Sequence, residues 1–128
     1  MGRGTRGGDS VTTITFPRPT RDLPSLNQRQ HWARKAQTTS VWRHAAYVFA
    51  MNAAGHIEQD PAIVCITYDV PDRRRRDPSN MIGHKPIVDG LVDAGWWPDD
   101  TPEYVTVAEP VLRVVKGPLM VTVELRPR

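Results

Sequence analysis

Between Pro71 and Asp100 the sequence reads PDRRRRDPSNMIGHKPIVDGLVDAGWWPDD. Four consecutive arginines, Arg73, Arg74, Arg75 and Arg76, run directly into Asp77, and Lys85, Asp89, Asp99 and Asp100 follow. Arginines suit a nucleic-acid backbone, because each phosphate they neutralise releases counterions. Carboxylates beside them would repel the same backbone unless a divalent cation lay between. A hard, oxygen-seeking ion such as Mg²⁺ meets that need, so the mixture points to phosphodiester chemistry. Plainer roles fit the same residues: a solvated loop for the arginines, an N-cap for Asp77 before Pro78, and a turn for Asp99-Asp100. Lys85 falls near the start of an expected helix, where the positive end of the dipole disfavours a cation. An acidic or phosphate partner would explain it.

A second group of polar and aromatic residues, Asn27, Arg29, His31, Trp32 and Lys35, offers phosphate contacts and base stacking. His31 suits capping and Trp32 suits a core equally well. Cys65, the single cysteine, excludes an internal disulfide and a cysteine-based zinc site, and its apolar neighbours place it in a packed strand.

The elements that must position these groups follow from periodicity. In residues 11–17, Ile14 and Phe16 alternate with Thr13 and Thr15, which predicts a half-buried strand ended by Pro17. Residues 18–36 contain Pro19 and Pro24 among many polar groups and read as a long ordered loop. From about Thr38 to Ala54, Val41, Trp42, Ala45, Val48 and Phe49 form an apolar helical stripe, with Gly55 as C-cap. Residues 61–70 are apolar on both faces and predict a central strand that leads into the arginines. Gly83 and Pro86 divide the next segment into a turn over 78–83 and a helix over 86–94. In that helix Ile87, Val88, Leu91 and Val92 form the buried stripe, while Lys85, Asp89 and Asp93 recur at i+4 on another face. Residues 104–109 and 111–115 read as one interrupted strand or two short ones. Lys116-Gly117-Pro118 then turns into an alternating strand over 119–125, predicting a hairpin. Trp96 and Trp97 suit a core, an interface or a DNA contact, with core or interface favoured for at least one.

Strand, helix, strand, helix, strand, strand implies an α+β fold, a mixed sheet packed by two helices. The 128 residues fit one domain over 11–128, preceded by a glycine-rich basic tail at 1–10. A net charge of +3 permits a polyanionic partner without demanding one. No apolar run approaches the roughly 20 residues that span a bilayer, and the N-terminal residues lack the apolar stretch of a signal peptide. The expectation is a cytoplasmic protein without a membrane partner.

The segment from Pro71 to Asp100 resembles the signature region of the RusA-type Holliday junction resolvases, the endonuclease family common in phages and prophages. The matching pieces are an arginine run ending in aspartate, an asparagine three residues on, a lysine, an aspartate among small and apolar residues, an Ala-Gly-aromatic-Trp turn and a closing Asp-Asp. The resemblance implies a homodimer that binds four-way DNA junctions and cuts two opposed strands by hydrolysis dependent on Mg²⁺, with Mn²⁺ as a substitute. It makes Asp77 and Asp100 metal-binding aspartates, with Asp99 as neighbour, and Lys85 the essential lysine. Arg73 to Arg76, Arg29, His31 and Lys35 would contact DNA. One departure stands out: the family commonly has Asp-x-Asp-Asn, and here Ser79 holds the second aspartate's place. A hydroxyl is a weaker, neutral ligand. Ser79 would bind metal through water, Asp89 or Asp99 would substitute, or the chain would hold branched DNA with little or no cutting.

Overall fold

The apolar run Ala62–Val70 forms strand β2, which organises the whole sheet. The computed structural model describes residues 13–20, 23, 24, 32–72 and 83–128. Along them lie β1 (Thr13–Pro17), α1 (Trp32–Ala54), β2, α2 (Lys85–Asp93), β3 (Val105–Val107), β4 (Val111–Val114) and β5 (Met120–Pro127). This is an α+β domain with two helices and a mixed five-stranded sheet.

β5 lies between β1 and β2 and runs antiparallel to both. On the other edge of β2, β3 pairs in parallel with Ala62–Val64 and β4 in parallel with Thr67–Val70. These two are therefore pieces of one interrupted edge, separated by residues 108–110, where Pro110 has no N–H to give a ladder. The expected hairpin of 111–115 with 119–125 does not form. β5 takes the side of β2 opposite β4, because its buried Val121, Val123 and Leu125 complete the core between Ile14, Phe16 and the apolar side chains of β2. Residues 115–119 cross from one side of β2 to the other, and Asp69 fastens both banks. Its carboxylate accepts hydrogen bonds from Arg113 Nε of β4 at 2.9 Å and from the Met120 N–H of β5 at 3.1 Å.

One face of the sheet is covered. Ile14, Phe16, Ala62, Val64, Ile66, Tyr68, Val121 and Val123 are buried in one core with Trp42, Ala46, Ala50, Ile87, Val88 and Leu91 of the helices. Phe16 stacks on Phe49 with ring centroids 5.1 Å apart, and Trp42 meets Tyr68 edge-on at 5.6 Å. Trp96 and Trp97 are both core residues, set edge to face at 6.3 Å. The Trp97 indole N–H donates to Asp60 O at 2.9 Å.

α1 begins at Trp32, so the connection after β1 is shorter than the sequence suggested. Residues 33–37, ARKAQ, are strong helix formers, and their propensity carries the helix back by several residues. Its most buried line is Thr38, Trp42, Ala46 and Ala50, one turn apart, while Val41, Ala45, Val48 and Phe49 are half-buried. The alanines bring α2 close. A Cβ placed on Gly90 of α2 would lie 2.5 Å from Arg43 O and 2.6 Å from Ala46 Cβ, so only glycine fits this crossing. Among the described residues no helix is long and apolar enough to cross a membrane.

Candidate functional site

α2 starts at Lys85 with Pro86 next, a residue pre-set for the first turn because it has no N–H to leave unpaired. Its entrance is tied to the sheet. The buried Tyr68 hydroxyl donates to Gly83 O at 2.8 Å, and the Gly83 N–H donates to Pro24 O at 3.0 Å. Burial raises the Tyr68 pKa, which keeps this donor protonated. β2 thereby fixes the point from which Lys85 projects.

No acidic residue lies in the first turn of α2, and Lys85 faces the unfavourable end of the dipole. Carboxylates compensate from two directions. Its ammonium forms a close ion pair with Asp100 Oδ2, from the loop after α2, and another with Asp89 Oδ1, one turn along the helix, at 3.0 Å. Hydrogen bonds from Lys85 hold the Asp100 carboxyl below its usual range, and those to Asp100 and Asp89 hold the Lys85 ammonium above its own. Asp100 is further fixed by its backbone N–H, which donates to Asp99 Oδ1 at 2.7 Å. The turn expected at Asp99-Asp100 falls just after them, over 102–104, closed by the Tyr104 N–H on Thr101 O at 2.9 Å. The Lys85 side chain is 62% exposed and that of Asp100 29%, so their pairing contributes only about 0.2–1 kcal/mol to stability.

The ion pairs continue across the helices. Asp89 Oδ2 lies 3.8 Å from Arg43 Nη1 of α1, and Arg43 grips Asp93 with two hydrogen bonds, Nε to Oδ2 at 2.7 Å and Nη2 to Oδ1 at 2.9 Å. The hydrogen bond from Arg43 lowers the Asp93 pKa and, with both carboxylates, raises that of Arg43. His84, the N-cap of α2, has its pKa lowered first by burial and then by the Lys85 charge, against a smaller opposing pull from Asp100.

Of the groups singled out in the sequence, the structure brings together Lys85, Asp89, Asp99 and Asp100. Lys35 lies elsewhere on α1, lining an open groove of about 500 Å³ with Ala36, Thr39, Ser40 and Arg43. Asp77, Ser79, Arg73 to Arg76, Arg29 and His31 lie outside the described residues. Sequence reasoning gave no role to Arg43 or Asp93, although the four-residue spacing of Lys85, Asp89 and Asp93 signalled a charged face. It also passed over Asp69, whose signal was an acid in an otherwise apolar central strand.

Among the described residues no group of three or more His, Cys, Asp and Glu side chains assembles as a metal cage. The donors present are nonetheless of the right type for Mg²⁺. Asp99 and Asp100 are adjacent carboxylates, and Asp89 and Asp100 already stabilise positive charge between them at the Lys85 ammonium. No protein-family model matches the chain, and no curated protein does.

Proposed function

We propose that the protein is a Mg²⁺-dependent endodeoxyribonuclease of the cytoplasm that acts, as a homodimer, on four-way or otherwise branched DNA. The observation that carries this reading is the meeting of Lys85 and Asp100 at the entrance of α2, at the end of a segment that contains Arg73 to Arg76 and Asp77. A cation beside a carboxylate is what phosphodiester hydrolysis needs: one group for charge on the phosphate, the other for a metal ion.

In this reading Asp77, Asp100 and Asp99 hold the metal, with Ser79 an accessory ligand in place of a carboxylate. The bound ion supplies an acidified water and neutralises phosphate charge. Lys85 donates to a non-bridging or leaving oxygen of the scissile phosphate. Arg73 to Arg76, Arg29, His31 and Lys35 grip the DNA backbone, and a twofold axis of the dimer matches the symmetry of the junction. The test is cleavage of a synthetic mobile four-way junction in Mg²⁺, with Asp77→Asn and Asp100→Asn as controls. Wild type nicks the junction and both variants lose activity; an inert wild type, or variants that cut as well, overturns the reading.

Ser79 favours a second reading, a branched-DNA-binding protein of the same fold with weak or no cleavage. Ser79→Asp separates the two. A large gain of cutting marks the native site as deficient in metal ligands, and no gain marks it as complete.

A further inference from the structure

We infer that Asp89 and Arg43 are positioning residues for the Lys85 ammonium, holding it so that one N–H stays free for a phosphate oxygen; this rests on the nuclease reading above. A lysine ammonium has three donors and no acceptor. Asp100 Oδ2 and Asp89 Oδ1 take two of them. Among the described residues the third has no acceptor, on a side chain that is 62% exposed and hence open to a ligand.

Lysine is a point charge on a flexible stem, and at a surface it samples many rotamers. Here two carboxylates from different elements restrict it, and the one on α2 is itself held. Asp89 places Oδ1 on Lys85 and turns Oδ2 toward Arg43 Nη1 at 3.8 Å. The guanidinium has little freedom, because its fork is fixed on Asp93 by bonds of 2.7 and 2.9 Å. The backbone carrying it is packed closely on α2: the Arg43 carbonyl oxygen lies 2.5 Å from where a Cβ on Gly90 would fall. Position therefore passes from the α1–α2 crossing through Arg43 and Asp89 to Lys85. A merely solvated charged face, the ordinary fate of residues spaced by four on a helix, predicts instead that each side chain acts alone.

A double-mutant cycle with a spectroscopic arm tests this. In single-turnover cleavage of a synthetic four-way junction with Mg²⁺, Asp89→Asn slows the rate about tenfold, the scale of a slightly misplaced group. Junction affinity measured in Ca²⁺ stays within about twofold, as for a group acting in the chemical step. In a Lys85→Met background the same substitution changes the residual rate by less than about twofold, because its effect runs through the missing ammonium. Arg43→Lys retains more of the rate than Arg43→Ala. An equal loss in both backgrounds overturns the inference.

The second arm needs no cleavage. A ¹³C–¹⁵N correlation spectrum of the lysine ammonium groups, with the Lys85 peak assigned by its loss in Lys85→Met, contains a slowly exchanging Lys85 signal. That signal disappears in Asp89→Asn and weakens in Arg43→Ala. A peak unchanged in both overturns the positioning chain whether or not the protein cuts DNA. A wild type inert on every junction removes the nuclease reading, and the spectra alone then decide whether Asp89 and Arg43 hold the ammonium.

Discussion

Asp69 is 2% exposed, and its two oxygens serve a side chain on one flank of β2 and a backbone N–H on the other. Removing it leaves the Met120 N–H, a part-buried donor, without its partner, and orphaning such a group costs at most about 1–3 kcal/mol. Asp69→Ala should lower unfolding stability by about that amount in urea titration, with Asp69→Asn losing less because its amide oxygen still accepts one bond. The ion pairs at Lys85 act on stability more weakly and with a defined pH dependence. The Asp100 and Asp93 carboxyls sit below their usual range, so their contribution is present above about pH 4 and is lost as pH falls through their lowered values. The raised Lys85 ammonium contributes below about pH 10.4, and this is lost as pH rises through its folded value. Melting temperatures across pH 3–11 should show both limbs. Lys85→Met should flatten both limbs, by no more than about 1 kcal/mol for groups this exposed, while a loss above about pH 10 persists because the buried Tyr68 keeps its proton in the fold. A loss below about pH 6.5 should persist in the variant, because burial is the main cause of the lowered His84 pKa. Asp69 was hard to read from sequence for a physical reason. Its partners are 44 and 51 residues away, and no local period encodes contacts made through a sheet.

At the scale of elements, local signals served well wherever one face met the core. The alternation Ile14 and Phe16 against Thr13 and Thr15 gave β1, and the unbroken apolar run gave the central β2. The i+4 face of Lys85, Asp89 and Asp93 appears on α2 as its spacing required. Two readings failed where pairing or propensity outside the apolar pattern decided. The hairpin failed because a turn at Lys116-Gly117-Pro118 fixes only a change of direction, and the core chose β2 as the neighbour of both flanking strands. The start of α1 was missed because Pro19 and Pro24 lie too far upstream to stop it, and the helix formers at 33–37 extend it back to Trp32. The Gly90 crossing supplies the test at this scale. Gly90→Ala gains intrinsic helix propensity, about 1 kcal/mol in an open helix. The new methyl group nevertheless meets Arg43 O and Ala46 Cβ within 2.6 Å, so overpacking of about 1–3 kcal/mol should prevail. Urea denaturation should report a net loss of stability, and the Arg43–Asp93 bonds should loosen with it.

For the molecule as a whole, the +3 charge is small, and its distribution carries the expectation of a polyanionic partner. The affinity for a four-way junction should fall linearly in a plot of log K against log salt, with a slope of about 0.9 per phosphate neutralised. Replacing Arg73 to Arg76 by alanine should shallow that slope by about one for each arginine in contact, while Asp100→Asn leaves it nearly unchanged. A slope that ignores the four arginines would remove them from the DNA surface.

The order β1-β5-β2 also bears on how the protein is made. β1 has β5 as its sheet partner, yet residues 13–17 are synthesised more than a hundred residues before Met120–Pro127. While the ribosome is still short of Met120, Ile14 and Phe16 have no strand to lie beside, and Asp69 lacks its Met120 partner. The sheet can close only when the β5 sequence emerges and slots between two strands already made. Ribosome-bound chains stalled before Met120 should therefore remain protease-sensitive along β1, and protection should arrive in a single step once residue 127 clears the exit tunnel.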